Sequence, residues 1–202
     1  MSMTLLDWRR QAAALYAAVR AEAGADPEGA LARFRAGRGR LFAEHPDSPL
    51  PADKRPAFPG LPYWPYDPAL LFEVEVEPAP AERLTAHSNS GDPYPLDRIG
   101  RVTLPVGTLD VYWVAVYGGG IFLPFRDGTS GDESYGGGRY LLDTVKGADL
   151  GGSDGRLVID FNYAYNPSCA YDPQWSCPLA PPANRLTFPI RTGERRYLAD
   201  ND

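Results

Sequence analysis

The sequence predicts a mainly β protein, a single antiparallel barrel-like or sandwich domain with two N-terminal α-helices. The chain of 202 residues holds 21 glycines and 21 prolines, which interrupt long helices and favour short strands joined by defined turns. From Leu70 onward, apolar and polar residues alternate with period two, as in Phe72, Val74 and Val76 with glutamates between them. Strands do not alternate with helices along the chain, which argues against a doubly wound parallel sheet.

Residues 1–45 are predicted to form an N-terminal helical arm packed on the body. Asp26 and Pro27 are typical of the cap and first turn of a second helix, which Pro46 ends. Each helix carries apolar residues at three- and four-residue intervals. These are Leu5, Trp8, Ala12, Leu15 and Val19 in the first helix, and Leu31, Phe34, Leu41 and Phe42 in the second.

Residues 46–202 are predicted to form the β domain. Its first part, Pro46–Pro68, is rich in proline and aromatic residues, which favours a strap lying on the body over a free linker. Gly118–Gly120 is typical of a hairpin turn. About eight strands are predicted, at 72–76, 83–88, 99–106, 111–117, 121–125, 140–145, 157–165 and 186–190.

Charge and composition argue against two classes of partner. The net charge is −6 and the basic residues are scattered, whereas nucleic-acid binding needs a clustered positive surface. The apolar stretches are too short to span a membrane, and the N-terminus lacks the apolar core of a signal peptide. We therefore expect a soluble cytoplasmic protein that binds neither nucleic acid nor membrane. Its oligomeric state is not predicted.

The segment 126–140 is too polar and too rich in glycine to be a strand. Consecutive glycines let backbone N–H groups point together, and such a nest beside Arg139 or Arg126 would bind an anion. The alternative is a long turn whose Asp and Ser side chains cap their own backbone, with Arg139 paired to Glu133 or Asp143.

A second polar segment follows at 160–167. If it is a strand, alternation places Asp160, Asn162 and Asn166 on one face and Tyr165 on the other. Short hydrogen-bonding side chains favour a cleft or barrel lumen over a solvent face. There they would either bind a ligand or form an internal network.

Cys169 and Cys177 are separated by seven residues, which fits neither a Cys-x-x-Cys redox motif nor a zinc knuckle. Only His45 and His87 are available as further zinc ligands, and they lie far away in the sequence. No metal site and no cofactor are predicted. Buried structural thiols are favoured, and a disulfide closing this short loop is the alternative.

The leading functional hypothesis is a domain that binds a small, anionic molecule. Arg139 would anchor the charge, and the other binding residues would be Arg126, Asp160, Asn162, Tyr165 and Asn166. An enzyme is the first alternative, a hydrolase or lyase with Glu133 or Asp127 as acid–base and with Tyr135 or Arg139 stabilising developing charge. Gly-x-Ser-x-Gly and His-Glu-x-x-His motifs are both absent from the sequence. A structural or protein-interaction module is the second alternative, with the aromatic strap as its docking surface.

Several motifs resemble domain-of-unknown-function family 1684. They are Pro124–Gly131, Glu133–Tyr140 and the long segment Asp160–Leu186, together with His45–Leu50 and Gly60–Asp67. The resemblance covers nearly the whole chain after the first helix. One departure is Ala183, where the family pattern has an acidic residue before the asparagine. The resemblance supports the location of the site and implies no particular reaction.

Overall fold

The computed structural model describes residues 3–197, so the first two and last five residues of the predicted ranges lie outside it. Within these residues the protein is mainly β, with two N-terminal helices and two antiparallel sheets. This agrees with the predicted class at that level.

The two helices are α1 (Met3–Glu22) and α2 (Pro27–Glu44). Asp26 caps α2, because its side chain accepts a hydrogen bond from the Gly29 N–H at 3.0 Å. The helices pack closely at Gly37, where an added Cβ would lie 2.4 Å from a methyl carbon of Leu15. Neither helix is long and apolar enough to cross a membrane.

The strands form a five-stranded sheet in the order β2-β3-β4-β5-β6 and a two-stranded sheet of β1 and β7. Neighbouring strands are antiparallel in both sheets. The strand bounds are β1 Leu71–Glu75, β2 Glu82–His87, β3 Pro93–Leu104, β4 Gly107–Val114, β5 Ile121–Phe125, β6 Arg139–Asp143 and β7 Arg156–Asp160.

Strand ladders do not close into a barrel within residues 3–197, so only the coarser part of the predicted architecture is confirmed. Isolated bridges join the larger sheet to the segments that follow each strand of the smaller sheet. Glu77 pairs with Arg101 beyond the end of β1, and Tyr140 of β6 pairs with Tyr165. The two-stranded sheet is thus attached to the larger sheet without sharing a ladder with it.

One predicted strand is longer than the observed strand, and another is not formed. The strand expected at 157–165 ends at Asp160, because the Asp160 side chain accepts the Asn162 N–H at 2.9 Å and starts a 3-10 helix, Phe161–Tyr163. The segment 186–190 contains no strand, and the chain there only adjoins a single bridge from Arg126 to Arg185. The predicted alternation of side chains from Asp160 to Asn166 is therefore also wrong.

The largest core cluster joins the helices to both sheets. Tyr16 and Val19 of α1 and Phe34 of α2 pack with buried residues of the strands. The connector 46–68 lies on this body, since Trp64 is buried and Phe58 packs against Phe42. The helices and the strap thus cover the sheets, and α1 contributes to the walls of the cavities named below after Asp160 and Asn166.

Candidate functional site

Arg139 and Asp127 form a buried ion pair in the centre of the molecule. Arg139 is 1 % exposed, and its Nη2 lies 2.8 Å from Asp127 Oδ2. The guanidinium also donates to the carbonyl oxygens of Ile190, Thr192 and Glu194. These bonds hold the C-terminal segment against β6, so the predicted charge anchor is occupied by the protein itself.

Asp127 is occupied in the same way. Its carboxylate accepts hydrogen bonds from the Thr129 N–H, the Thr129 hydroxyl and the Ile190 N–H. It is 2 % exposed. Asp127 therefore closes a turn, as the alternative interpretation expected, but the expected pairing of Arg139 with Glu133 or Asp143 is wrong because Arg139 pairs with Asp127.

The other candidates from segment 126–140 contact different partners. Glu133 forms a two-pronged ion pair with Arg191 at the surface, and this pair lowers the pKa of Glu133. The Tyr135 hydroxyl lies 3.4 Å from the Cys169 sulfur, and burial raises the pKa of Tyr135. Arg126 is half-buried, and its Nε has no hydrogen-bond partner among the described residues.

Asn162 is a structural bridge between the connector and the end of β7. Its side chain accepts the Asp67 N–H at 2.9 Å and donates to the Asp67 carbonyl at 2.8 Å. It also donates to Asp160 Oδ1 at 2.7 Å. Asn162 is 1 % exposed, and its hydrogen bond to Oδ1 fixes the orientation of the Asp160 carboxylate.

Asp160 keeps one carboxylate oxygen available. Its Oδ1 accepts two bonds from Asn162, whereas Oδ2 makes no hydrogen bond with any residue in the described part of the chain. Burial raises the pKa of Asp160 to about 6. A buried carboxyl with a raised pKa and a free oxygen is a common feature of functional sites.

Asp160 lines a cavity of about 260 Å³, which we call the Asp160 cavity. The Tyr163 side chain also lines it, and its buried hydroxyl has no hydrogen-bond partner in the described residues. The walls are mostly apolar and come from α1, both strands of the small sheet and the loop before β7. They include Val19, Ala23, Leu71, Leu150 and Val158, with Arg20 and Glu73 also present.

Arg35 of α2 adds an unpaired cation beside this cavity. Its Nε and Nη2 atoms are buried and have no partner among the described residues. The guanidinium lies 4.5 Å from the centre of the Tyr63 ring, and it interacts electrostatically with Asp160 and Tyr163. The Tyr63 hydroxyl is likewise buried and unpartnered.

Arg35 and Arg38 were not among the predicted site residues, although the sequence carries a signal for them. Both arginines occupy inward-facing helical positions of the stripe that runs from Leu31 to Phe42. An arginine within an apolar stripe must either reach solvent or find partners inside the protein. Arg38 pairs with Glu194, whereas Arg35 has no carboxylate within ion-pair distance among the described residues.

Tyr165 and Asn166 lie in a second region beneath α2. Asn166 N–H and Tyr171 Oη donate to the fully buried Glu194 carboxylate, and Arg38 lies 3.3 Å from it. The Arg38 guanidinium stacks on the Tyr165 ring at 5.0 Å. The predicted polar face thus divides into two separate groups, one around Asp160 and one around Glu194.

A small cavity of about 80 Å³ adjoins this second group, and we call it the Asn166 cavity. Arg38, Tyr165 and Asn166 line it together with aromatic residues of α1 and α2. The Asn166 Oδ1 atom and the Arg38 Nε atom have no partners in the described residues. At ~30 Å³ per water molecule, this cavity holds about two or three water molecules.

The two cysteines are free thiols, both buried. This agrees with the favoured expectation for the loop. Among residues 3–197 there is no group of three or more His, Cys, Asp or Glu side chains arranged to hold a metal ion.

Comparisons with known proteins agree with the sequence motifs. Residues 56–195 match the model of the family described as "Protein of unknown function (DUF1684)". The solution NMR structure of an uncharacterised protein from Haloarcula marismortui is 32% identical, with a TM-score of 0.57 over 86% of this chain and 96% of that chain. Comparison with curated proteins gave no match. Since the family model covers more than half of its length, the chain belongs to the DUF1684 family.

Proposed function

We propose that the protein binds a small, largely apolar molecule in the Asp160 cavity. The observation that carries the proposal is the pairing of a free Asp160 oxygen with the unpartnered Tyr163 hydroxyl inside an apolar cavity of about 260 Å³. Ligand sites typically combine apolar walls with a few convergent polar groups. A buried polar atom without a partner is rare, and a ligand hydrogen-bonded to the Tyr163 hydroxyl would satisfy it.

The polar groups suggest the chemistry of the ligand. Above about pH 6 the Asp160 carboxylate accepts a hydrogen bond, and the Tyr163 hydroxyl donates one. A head group with both a donor and an acceptor, such as a primary carboxamide or an alcohol, matches this pair. The volume corresponds to about nine water molecules at ~30 Å³ each, which suits a ligand of about ten non-hydrogen atoms.

This proposal changes the expected charge of the ligand. The anionic preference depended on Arg139, whose donors are taken by Asp127 and backbone carbonyls. In the Asp160 cavity the lining acidic groups Asp160 and Glu73 would oppose a bound anion, and Arg35 offsets this effect only in part because it already interacts electrostatically with Asp160. Arg20 does not compensate for them fully, because it already contacts Asp149.

The experiment is a thermal-shift screen followed by calorimetry on the hits. The screen compares matched sets of branched and aromatic amides, alcohols, carboxylic acids and amines at pH 7.5. We expect amides or alcohols to raise the melting temperature, and Asp160→Asn and Tyr163→Phe each to weaken binding by about tenfold, the effect of one lost hydrogen bond. Glu133→Gln is the matched control, because it makes the same carboxylate-to-amide change on a surface side chain outside the cavity.

Two results would contradict the proposal. One is a screen in which no compound of any class stabilises the protein. The other is binding that is weakened equally by Glu133→Gln and Asp160→Asn, since that would place the ligand elsewhere or indicate a general effect on folding.

A catalytic role for the same pair is the second candidate, because the raised pKa of Asp160 suits a general base near neutral pH. Tyr163 would then stabilise developing negative charge on the substrate. This retains the carboxylate–tyrosine chemistry expected for an enzyme, on residues other than Glu133, Asp127 and Tyr135. Turnover that rises with pH through about 6 in the wild type and is absent in Asp160→Asn would favour it.

A further inference from the structure

The Asn166 cavity is lined by two side chains that each carry a buried polar atom without a partner among the described residues. One atom is the Nε–H donor of Arg38, and the other is the Oδ1 acceptor of Asn166. Burying a donor or an acceptor without a partner costs free energy. A molecule that accepts one hydrogen bond and donates another would satisfy both atoms.

The amide of Asn166 is held in one orientation by the backbone. Its Nδ2 donates to the Arg195 carbonyl at 2.7 Å, and its backbone N–H donates to Glu194 Oε2 at 2.8 Å. Exchanging the two amide atoms would place Oδ1 against the Arg195 carbonyl, where two acceptors repel each other. Oδ1 is therefore the atom of Asn166 that is left for a ligand.

Arg38 is held beside Asn166 by the same carboxylate. Its Nη2 lies 3.3 Å from Glu194 Oε2, the oxygen that also accepts the Asn166 N–H. The Arg38 Cζ atom lies 4.7 Å from the centre of the Phe42 ring and 5.0 Å from the centre of the Tyr165 ring. The donor and the acceptor are thus preorganised, which lowers the cost of ordering them around a ligand.

The charges around the cavity compensate each other in pairs. Arg38 is paired with Glu194, and the lining residue Lys146 lies 3.5 Å from Asp143. A charged ligand would therefore lose its hydration without gaining a free counter-charge. The Oδ1 atom of Asn166 would in addition repel an anion. The cavity is therefore best suited to a neutral molecule.

The volume and the walls limit the ligand further. Covalently bonded atoms lie closer together than water molecules do, so about 80 Å³ suits a compact molecule of about four non-hydrogen atoms. Trp8, Phe34 and Phe42 contribute aromatic rings to the walls, and flat molecules pack well against such rings.

The cavity is reached from the surface beside α1. Lys146, which lines it, is exposed, and the lining residues Ala12 and Ser168 are half-buried. A small molecule can enter between these residues.

We propose that the Asn166 cavity is a second ligand site, which binds a small, neutral, planar amide or urea. The Arg38 Nε–H donates to the carbonyl oxygen of the ligand, and an N–H group of the ligand donates to Asn166 Oδ1. The site is separate from the Asp160 cavity, because the two cavities share no lining residue. With about four non-hydrogen atoms, the ligand binds with a Kd no lower than about 40 µM.

The experiment titrates four probes of the same trigonal shape, acetamide, acetone, acetate and acetamidinium, together with urea, into the full ¹⁵N-labelled chain. NMR spectra follow the Nε–H signal of Arg38 and the Nδ2 signals of Asn166. We expect acetamide and urea to shift both sets of signals in a saturable way. The other three should bind at least about tenfold more weakly, because acetone has no donor, acetate is an anion without a donor, and acetamidinium is a cation without an acceptor.

Variants test the site in two independent ways. Arg38→Lys keeps a cation beside Glu194 but removes Nε, and it should weaken acetamide binding by about tenfold at the Asn166 signals. If Arg38→Lys fails to fold, Ala12→Leu keeps the proposal testable, because the larger side chain should fill part of the cavity and weaken binding at least as much. Ala17→Leu is the matched control, since Ala17 is an exposed residue of α1 that lines neither cavity.

Asp160→Asn separates this site from the proposed function. It should leave the response of the Arg38 and Asn166 signals to acetamide unchanged, whatever it does to binding in the Asp160 cavity. Three results would overturn the proposal. They are an Arg38 Nε–H signal that does not move at about 100 mM acetamide or urea, which would mean that the cavity holds only water, equal binding of all the probes, and equal binding by the two leucine variants.

Discussion

Replacing Arg139 with methionine tests whether the centre of the molecule is structural. The substitution keeps much of the apolar stem but removes the partner of Asp127 and the donors to three backbone carbonyls. Both side chains are at most 1 % exposed. Breaking a buried ion pair on one side typically costs about 3–5 kcal/mol, because the remaining charge is left uncompensated. For a protein of this size that corresponds to a fall in Tm of about 6–20 °C.

Urea unfolding followed by circular dichroism measures this loss directly. The double variant Asp127→Asn/Arg139→Met should be less destabilised than the sum of the single variants, since no unpaired charge remains. The control is Arg191→Met, which breaks the surface pair with Glu133 and should change the unfolding midpoint little, because solvent screens that pair. If Arg139→Met shifts the unfolding midpoint as little as Arg191→Met does, Arg139 is not a structural residue. The hypothesis that it anchors a ligand would then be favoured again.

Three further predictions concern stability. Because the Asp160 pKa is about 6 in the folded protein against an ordinary 3.8, the wild type should lose on the order of 3 kcal/mol of unfolding free energy as pH rises from about 4 to 6. The Asp160→Asn variant should not show this loss when its unfolding free energy is measured by urea titration at about pH 4 and at about pH 7.5. Gly37→Ala should lower the unfolding free energy by about 1–3 kcal/mol, because the added Cβ would collide with Leu15. Gly39→Ala, where nothing lies near the added Cβ, should instead raise it by up to about 1 kcal/mol. Thermal melts of the two variants measure both changes. Asn184→Ala should lower the unfolding free energy by about 2–4 kcal/mol, because it leaves three buried backbone groups without partners; full retention of the urea midpoint would contradict this.

The regular elements of the fold were largely predictable from local patterns. The helices follow from apolar stripes and from the Asp26–Pro27 start, and the hairpin between β4 and β5 follows from Gly118–Gly120. The start of β3 was missed because Pro93 and Pro95 are unusual in strands. In the structure both prolines belong to β3 and pair with residues of β2, Pro93 with His87 and Pro95 with Thr85.

The irregular C-terminal part was not predictable from periodicity. The segment after Asp160 has a strand-like composition, but a side-chain bond from Asp160 to the Asn162 N–H turns the chain into a 3-10 helix. Likewise, segment 186–190 is apolar enough for a strand, yet its backbone is used by Arg139 and Asp127. In both places a side chain competes with the neighbouring strand for the backbone, and local sequence does not show which partner prevails.

The candidate site was predictable only in part for the same reason. Residue types identified Asp160 and the asparagines as buried polar groups, but not which of them would keep a free atom. Arg139 and Asn162 are occupied by bonds to the backbone, whereas Asp160 Oδ2 is left open toward a cavity. That difference arises from contacts between distant segments, such as Asn162 with Asp67, ninety-five positions apart.

The buried polar groups of this protein fall into two classes, those paired within the protein and those without a protein partner. Asp127 with Arg139, and Glu194 with Arg38, are compensated charges whose hydrogen bonds hold the C-terminal segment onto the sheets and α2. Such pairs need no ligand to account for them. Asp160, Tyr163 and Arg35 are different, because a carboxylate oxygen, a hydroxyl and two guanidinium nitrogens lie close together without protein partners in residues 3–197. Leaving buried polar atoms without partners costs free energy, and this cost is the physical basis of the proposal that the Asp160 cavity binds a ligand.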